Sequence, residues 1–432
     1  MKKSALSILL SIVLLFSIVG CSSQNNDSSS SGDGEEGTQT LKFISEDTAD
    51  ESDASVVMDL TEEYGKTNIE IETVLQANLM QKIQLLTASN DLPELFKFES
   101  NQLGDLIDND QLLDLEKTFT DLGIYDKLNP GAVNLLKTLS GDRGLYTLPV
   151  ELNIEGFWYN KKLFEENNLE VPTTWDEMLA ASEVFMEKGI QPFAVAGKEK
   201  WPITRLINGY VMRLYGADVM ERVSKGELSI TDEGFIEAAT LVQDMNAKGY
   251  FGEGVNTIDY DTASNTFLQG NAAMYYMGSW ALNEFNDENL NKIGVDNVGF
   301  FNIPLVEGGK GTLDEYSMNA GLTLSFSKDK YNEEVGEWMK HVFSNYGDKA
   351  IAERGLISGF KVENMPENVS ELTKTTLEKV NEIENGALWF EGYFDPKTKT
   401  VSEDGAQNLL NEGTTPEEYM SKLEESLKNA SK

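Results

Sequence analysis

The sequence predicts an α/β fold built in two bodies, and three observations predict it. Between Leu41 and Phe98, short β-forming runs alternate with segments of helical period in the order strand–helix–strand–helix–strand. That order implies right-handed crossovers and a parallel sheet. A second α/β run begins after Leu148-Pro149. The stretch LPVELNIEGFWYNKK, Leu148 to Lys162, joins the two. It opens on a proline, which fixes φ and removes a ladder donor, and continues as a dense β-forming segment through Ile154, Phe157, Trp158 and Tyr159.

The elements follow in order. Leu41, Phe43 and Ser45 share one side of a first strand, and Val56, Val57, Leu60 and Tyr64 recur at helical spacing. Ile69 and Ile71 alternate as a second strand, Leu79, Ile83 and Leu86 mark a second helix, and Leu95, Phe96 and Phe98 form a third strand. Residues 103–119 read as helical or mixed, and Gly141 to Gly144 as a turn. Thr174 and Glu177 have the spacing of a capping box, so a helix should start at Trp175. Pro192 to Ala196 reads as a strand, and a loop ending at Trp201-Pro202 opens a helix to about Leu214. Helices follow at 235–247 and 259–268, and strands at 270–280, 298–302 and 321–327. From Tyr331 the chain reads as mostly helical, and Thr415, Pro416 and Glu418 start the last helix.

Length and composition bound the function. A chain of 432 residues with 40% hydrophobic residues has room for roughly two or three domains with real cores. Lys and Arg total 35 against 73 Asp and Glu, a formal charge of -38. That field argues against nucleic acid and anionic membrane surfaces as partners. With one cysteine, Cys21, and one histidine, His341, the chain forms no internal disulfide and no structural zinc site of Cys and His ligands. Catalytic triads could use only His341, which reads as a residue on a helix face between Val335 and Phe343. Asp47, Asp50 and Asp53 lack the glycine and spacing of an EF-hand loop. No metal or cofactor is implied.

Lys2 and Lys3 precede an apolar run from Ala5 to Val19, too short to span a bilayer comfortably, which ends Ile18-Val19-Gly20-Cys21. This describes a signal peptide over 1–20. Its ending resembles the lipobox of bacterial lipoproteins, which implies a mature protein lipidated at Cys21. Residues 21–40 carry no aromatic or large aliphatic side chain and read as a tether with a mean reach of about 25 Å.

The segment from Pro149 to Tyr215 resembles the extracellular solute-binding proteins of ABC transporters that capture sugars and oligosaccharides. The motifs that carry the resemblance are GFWYNKKLF (156–164), PTTWDEM (172–178) and GIQPF (189–193). Further matches are FLQGNAAM (267–274), GSW (278–280) and GTTPEE (413–418), in order through about 280 residues. The resemblance implies a two-lobed periplasmic-binding-protein-like fold of type II, with the ligand in the cleft between lobes that close by hinge bending. It implies crossings at Leu148–Val150, near Asn271–Met274 and near Ala320–Leu324. The lobes are accordingly expected to comprise 41–149 with 272–322, and 150–271 with 323–432. It also implies a carbohydrate ligand, ABC permease subunits as partners, a lipid-anchored extracellular location, a monomer and no catalysis.

Sugar recognition needs flat aromatic faces for pyranose rings, and amides or carboxylates for hydroxyl pairs. Trp201, Trp280 and Trp389 stand beside Gly or Pro or in polar stretches where helix periodicity does not place them, and are the stacking candidates; Trp158 and Tyr393 are weaker ones. Ligands of a parallel sheet bind beyond the carboxyl ends of its strands. Glu46 and Glu99 stand at such ends, and Glu151 and Asn153 just past the first crossing. Glu315, with Asp314, lies in a glycine-rich polar loop. Two other readings compete: a binder of a peptide or polyamine, and a cell-surface glycoside hydrolase, for which paired carboxylates would be needed.

Overall fold

The computed structural model describes residues 38–46, 52–383, 386–411 and 413–430. The leader, Cys21, most of the tether and Asp47 lie outside the described residues. Among the described residues ten strands follow in chain order. The first four are β1 (Gln39–Ser45), β2 (Thr67–Thr73), β3 (Leu95–Phe98) and β4 (Thr147–Leu148). Then come β5 (Asn153–Asn160), β6 (Gln191–Ala194), β7 (Ala272–Gly278), β8 (Val298–Phe301), β9 (Ser317–Asn319) and β10 (Thr323–Phe326).

They form two five-stranded sheets. The first runs β2-β1-β3-β10-β4, with β1, β2 and β3 parallel as the sequence pattern requires and β10 antiparallel to both of its neighbours. The second runs β6-β7-β5-β8, with β9 also paired to β5. The strand expected at Ile154–Tyr159 is therefore the centre of the second sheet, hydrogen-bonded to β7, β8 and β9. It is buried on both faces because helices cover both. Phe157 packs against Trp175, Phe193 and Tyr276 on one side. Trp158, fully buried on the other, lies 4.8 Å from both Phe285 and Phe300 and donates Nε1–H to the Met277 carbonyl at 2.9 Å. The capping box at Thr174 and Glu177 forms, and it opens the helix Trp175–Glu187.

The first sheet is likewise covered on both faces. The helices Asp53–Tyr64 and Glu333–Arg354 pack together in one core with Leu41, Phe43 and Leu95. Leu79 and Ile83 of the helix Gln76–Ser89 meet Ile44, Phe96 and Phe98 in another.

Among the described residues the chain passes between the sheets three times. Pro149–Leu152 carries it from β4 to β5, and Ala320–Leu322 returns it from β9 to β10. Both were expected as crossings. After the helix Glu371–Glu382, whose Asn381 accepts from Asn129 at 3.0 Å, the chain runs beside β9 and enters the helices Pro396–Leu409 and Pro416–Ala430. These pack on Trp201–Tyr215 and Glu233–Ala247 of the second lobe. Asn271–Met274 is not a crossing. Residues 272–322 carry strands β7, β8 and β9 of the second sheet, and β10 with the helix Glu333–Arg354 belongs to the first. The expected lobe division is thus exchanged in these two segments. The physical reason is that a central strand buried on both faces, such as AAMYYMG, reads as a uniform apolar run and carries no mark of the sheet it joins.

Trp158 holds the two-sided packing of β5 together, so Trp158→Ala is expected to lower stability by about 3–5 kcal/mol. Chemical denaturation checks this; a loss under about 1 kcal/mol would show that the site relaxes around the missing ring.

Candidate ligand-binding cleft

A cavity of about 480 Å³ opens between the lobes. Seven of the eight side chains expected from the sequence to contact ligand line it. From the first lobe come Glu46, which follows β1, and Glu99, which follows β3. Glu151 and Asn153 come from the first crossing and the start of β5. Trp201, Trp280 and Trp389 form the aromatic part. Glu315 is elsewhere. Its loop folds onto Arg213, whose guanidinium takes the carbonyls of Ile303, Thr312 and Glu315, and its carboxylate accepts from Thr312 N–H at 2.9 Å. A polar, glycine-rich loop is here a clamp on a buried arginine. Trp158 is core, and Tyr393 is half-buried outside the cavity lining.

Each indole is placed by a local break in regular structure. Trp201 is the first residue of its helix, after Lys200 at φ 66. Trp280 sits in the single 3-10 turn Ser279–Ala281 that ends β7. Its ring folds over Gly278, where an added Cβ would stand 1.9 Å from the ring, so the glycine is required by close approach. Nearby, Tyr260 in the cavity wall donates to Glu284 at 2.9 Å. Trp389 precedes the 3-10 turn Phe390–Tyr393. The Trp201 and Trp280 rings meet edge-on, 5.9 Å apart at 67°.

Beneath the aromatics lies Arg205, four residues after Trp201 on the same helix face. Its guanidinium stacks 4.5 Å from the Trp389 ring and 5.6 Å from that of Trp201. It donates to Glu155 at 3.0 Å and to Glu391. Glu155 also accepts from Asn319 at 2.8 Å and from Tyr276. Burial works against the charge on Arg205, but Glu391 and Glu155 outweigh it and hold its pKa above the ordinary value.

The opposite wall has a second buried cation. Lys97, 1% exposed, pairs with Asp53 and stands 3.5 Å from Glu46. Burial opposes its charge, and the carboxylates Asp53, Glu46 and Glu151 more than offset that, so its pKa is raised. Three carboxylates thus face one ammonium. Burial is the first cause that pushes Glu151 up to about 7, Asp53 adds to it, and Lys97 and the Asn153 amide work in the other direction. Burial likewise raises Glu46 and, across the cleft, Glu403. At the rim, Lys399 of the second lobe meets Glu99 of the first at 3.8 Å, an ion pair that bridges the lobes.

Sequence reasoning missed Arg205, Glu391, Lys97 and Asp53. Two signals mark them. Lys97 interrupts the apolar strand LFKF, and Arg205 sits on the same face as Trp201 in a helix buried almost throughout. A charge in such a place needs a buried partner. Among the described residues no group of His, Cys, Asp and Glu is arranged to hold a metal ion.

The model of the bacterial extracellular solute-binding protein family matches residues 48–349. An ABC transporter extracellular-binding protein of Pyrococcus horikoshii is 27% identical over 264 residues, 58% of this chain and 59% of that protein. A multiple sugar-binding protein of Streptococcus mutans is 26% identical over 353 residues, 77% of each. Among solved structures, a chitin oligosaccharide binding protein superposes with TM-score 0.78 at 25% identity, over 91% of this chain and 99% of that one. The RafE solute-binding protein in complex with raffinose superposes at 0.72 with 18% identity, over 91% and 99%, a likeness of fold.

Because the Glu151 pKa is raised in the folded protein, the folded state binds more protons than the unfolded one between about pH 4.5 and 7. Its share of stability is present below that window and lost as pH rises through it. Glu151→Gln is therefore expected to raise the melting temperature more at pH 8 than at pH 5. An equal change at both pH values would contradict the assignment.

Proposed function

This chain belongs to the bacterial extracellular solute-binding proteins, and from that premise we propose that it captures a sugar or oligosaccharide in the interlobe cleft and presents it to the permease of an ABC importer. The observation that carries the reading is the set of three indoles, Trp201, Trp280 and Trp389, lining one cavity together with carboxylates and the Asn153 amide. Pyranose rings offer apolar CH faces to such rings, while their hydroxyls need planar acceptors and donors. A volume of about 480 Å³ is of the size that binds small ligands. The names of the Streptococcus mutans relative and of the chitin-oligosaccharide and raffinose binders support the same class.

The three passages between the lobes make a hinge, and the Glu99–Lys399 pair at the rim is one contact that closure makes. The protein acts as a carrier and returns its ligand unaltered. The carboxylates Glu155 and Glu391 are committed to Arg205, which supports binding over acid–base work. The leader and the Cys21 lipobox support a lipid anchor on the outer face of the membrane. Cys21→Ser is expected to shift the protein from the membrane fraction to the medium, and retention in the membrane would refute the anchor.

A thermal-shift screen of the protein against mono- and oligosaccharides, with amino acids, peptides and polyamines as controls, identifies the ligand. At 100 times its dissociation constant a ligand stabilises by about 2.7 kcal/mol, a readable shift. Hits confined to sugars, recovered intact, are expected. Hits confined to peptides or polyamines would overturn the ligand class, and cleaved sugar would overturn the carrier role. For the sugar found, Trp280→Ala should weaken binding by at least about 1.5 kcal/mol in calorimetry while the fold persists. Unchanged affinity would remove Trp280 from the site.

A further inference from the structure

The charges of the cleft are unevenly matched. Five glutamates line it, Glu46, Glu99, Glu151, Glu391 and Glu403, against Arg205 and Lys399. Each cation already has its carboxylate. Arg205 is closed between Glu155 and Glu391 under Trp389, and Lys399 faces Glu99. Lys97, behind the first wall, is held by Asp53 and Glu46 and is almost out of contact with solvent. An anionic ligand therefore meets no uncommitted cation among the described residues lining the cavity. Glu151 is in the reverse position, since its carboxylate shares a single ammonium with two others and its charged form is under-compensated.

Asn153 stands next to it. The residue is 2% exposed, and its Oδ1 accepts from Ser279 Oγ at 2.9 Å. Its Nδ2 is buried without a hydrogen-bond partner, and the residue lies in the cavity wall. The corner thus offers a carboxylate that shares one cation with two others, beside a buried amide N–H that favours its charge without making a full hydrogen bond to it. Across from it stand the indole rings, whose faces attract cations as well as apolar CH groups.

We propose that the corner formed by Glu151, Glu46 and Asn153 is a subsite for a protonated amine carried on the sugar, so that the ligand is an aminodeoxy sugar or an oligosaccharide containing one. The ammonium sits against Glu151 and Glu46, a neighbouring hydroxyl oxygen accepts from Asn153 Nδ2, and the ring lies on the indoles. Acidic sugars are rejected by the same field. The proposal rests on the reading of the cleft as a sugar site and narrows it.

Calorimetry at pH 7 with matched sets tests it: each hexose as the hydroxyl, free-amine, N-acetyl and uronate form, as monomers and short oligomers. For the set that binds, the free-amine form should bind at least tenfold more tightly than its hydroxyl and N-acetyl partners, and the uronate should not bind. The preference should shrink in 0.5 M salt and disappear in Glu151→Gln, with circular dichroism confirming the fold. Binding should also release protons from Glu151, read as a dependence of the heat on the buffer's ionisation enthalpy. A neutral or N-acetyl form that binds as tightly as the amine overturns this inference and leaves the sugar reading intact, as does a preference that survives Glu151→Gln. Absence of binding by every sugar, whatever its charge, overturns both.

Discussion

Arg205 carries its charge to the base of the cleft, and much of the second wall depends on how that charge is held. Its two carboxylates come from distant parts of the chain: Glu155 from the central strand β5, and Glu391 from the turn after the last passage between lobes. Its flat face supports Trp389, and the same helix turn carries Trp201. Truncating one partner of such a buried group leaves a charge without compensation and costs about 3–5 kcal/mol. The ion pair therefore does more than stabilise. It fixes the third passage to the second sheet in one position and sets the plane on which the aromatic rings are arranged.

The first lobe solves a similar problem with a different balance. Lys97 and Asp53 are buried together, and Glu46 and Glu151 lie beside them at the cleft. A buried ammonium with one carboxylate would be closed to ligand. With three carboxylates around it, part of the negative field is left to act on the cavity. The acidic composition of the chain, 73 carboxylates against 35 cations, says nothing about this arrangement, since most of those charges are solvated. What gives a few of them a role is burial at the meeting of strand ends and crossings.

Much of this was legible in the sequence, and the parts that were not have identifiable causes. Strand and helix periods located β1, β2 and β3 and their parallel order, and the capping box at Thr174 marked a helix start that forms as expected. Glu46, Glu99, Glu151, Asn153 and the three cleft tryptophans were found by position, after strands, at a crossing or at breaks in period, and they converge on one cavity. Glu315 satisfied the same local criteria, but its loop is drawn away by Arg213, a contact about a hundred residues distant in sequence that no local pattern encodes. The lobe assignment of β7 and β10 failed for a related reason: which sheet a fully buried strand joins is decided by long-range pairing, which one-dimensional periodicity does not contain.

We propose that the solute is held in the cavity between Trp201, Trp280 and Trp389 on one side and Glu46, Glu151 and Asn153 on the other. A crystal structure of the protein with the sugar identified by thermal shift decides the point. The expected complex has a pyranose ring against at least one of the three indoles, a polar group of the sugar within hydrogen-bond distance of Glu151 or Asn153, and Arg205 still paired with Glu155 and Glu391. A sugar bound outside this cavity, or bound within it by Arg205 released from its carboxylates, would mean that the solute is held in another way.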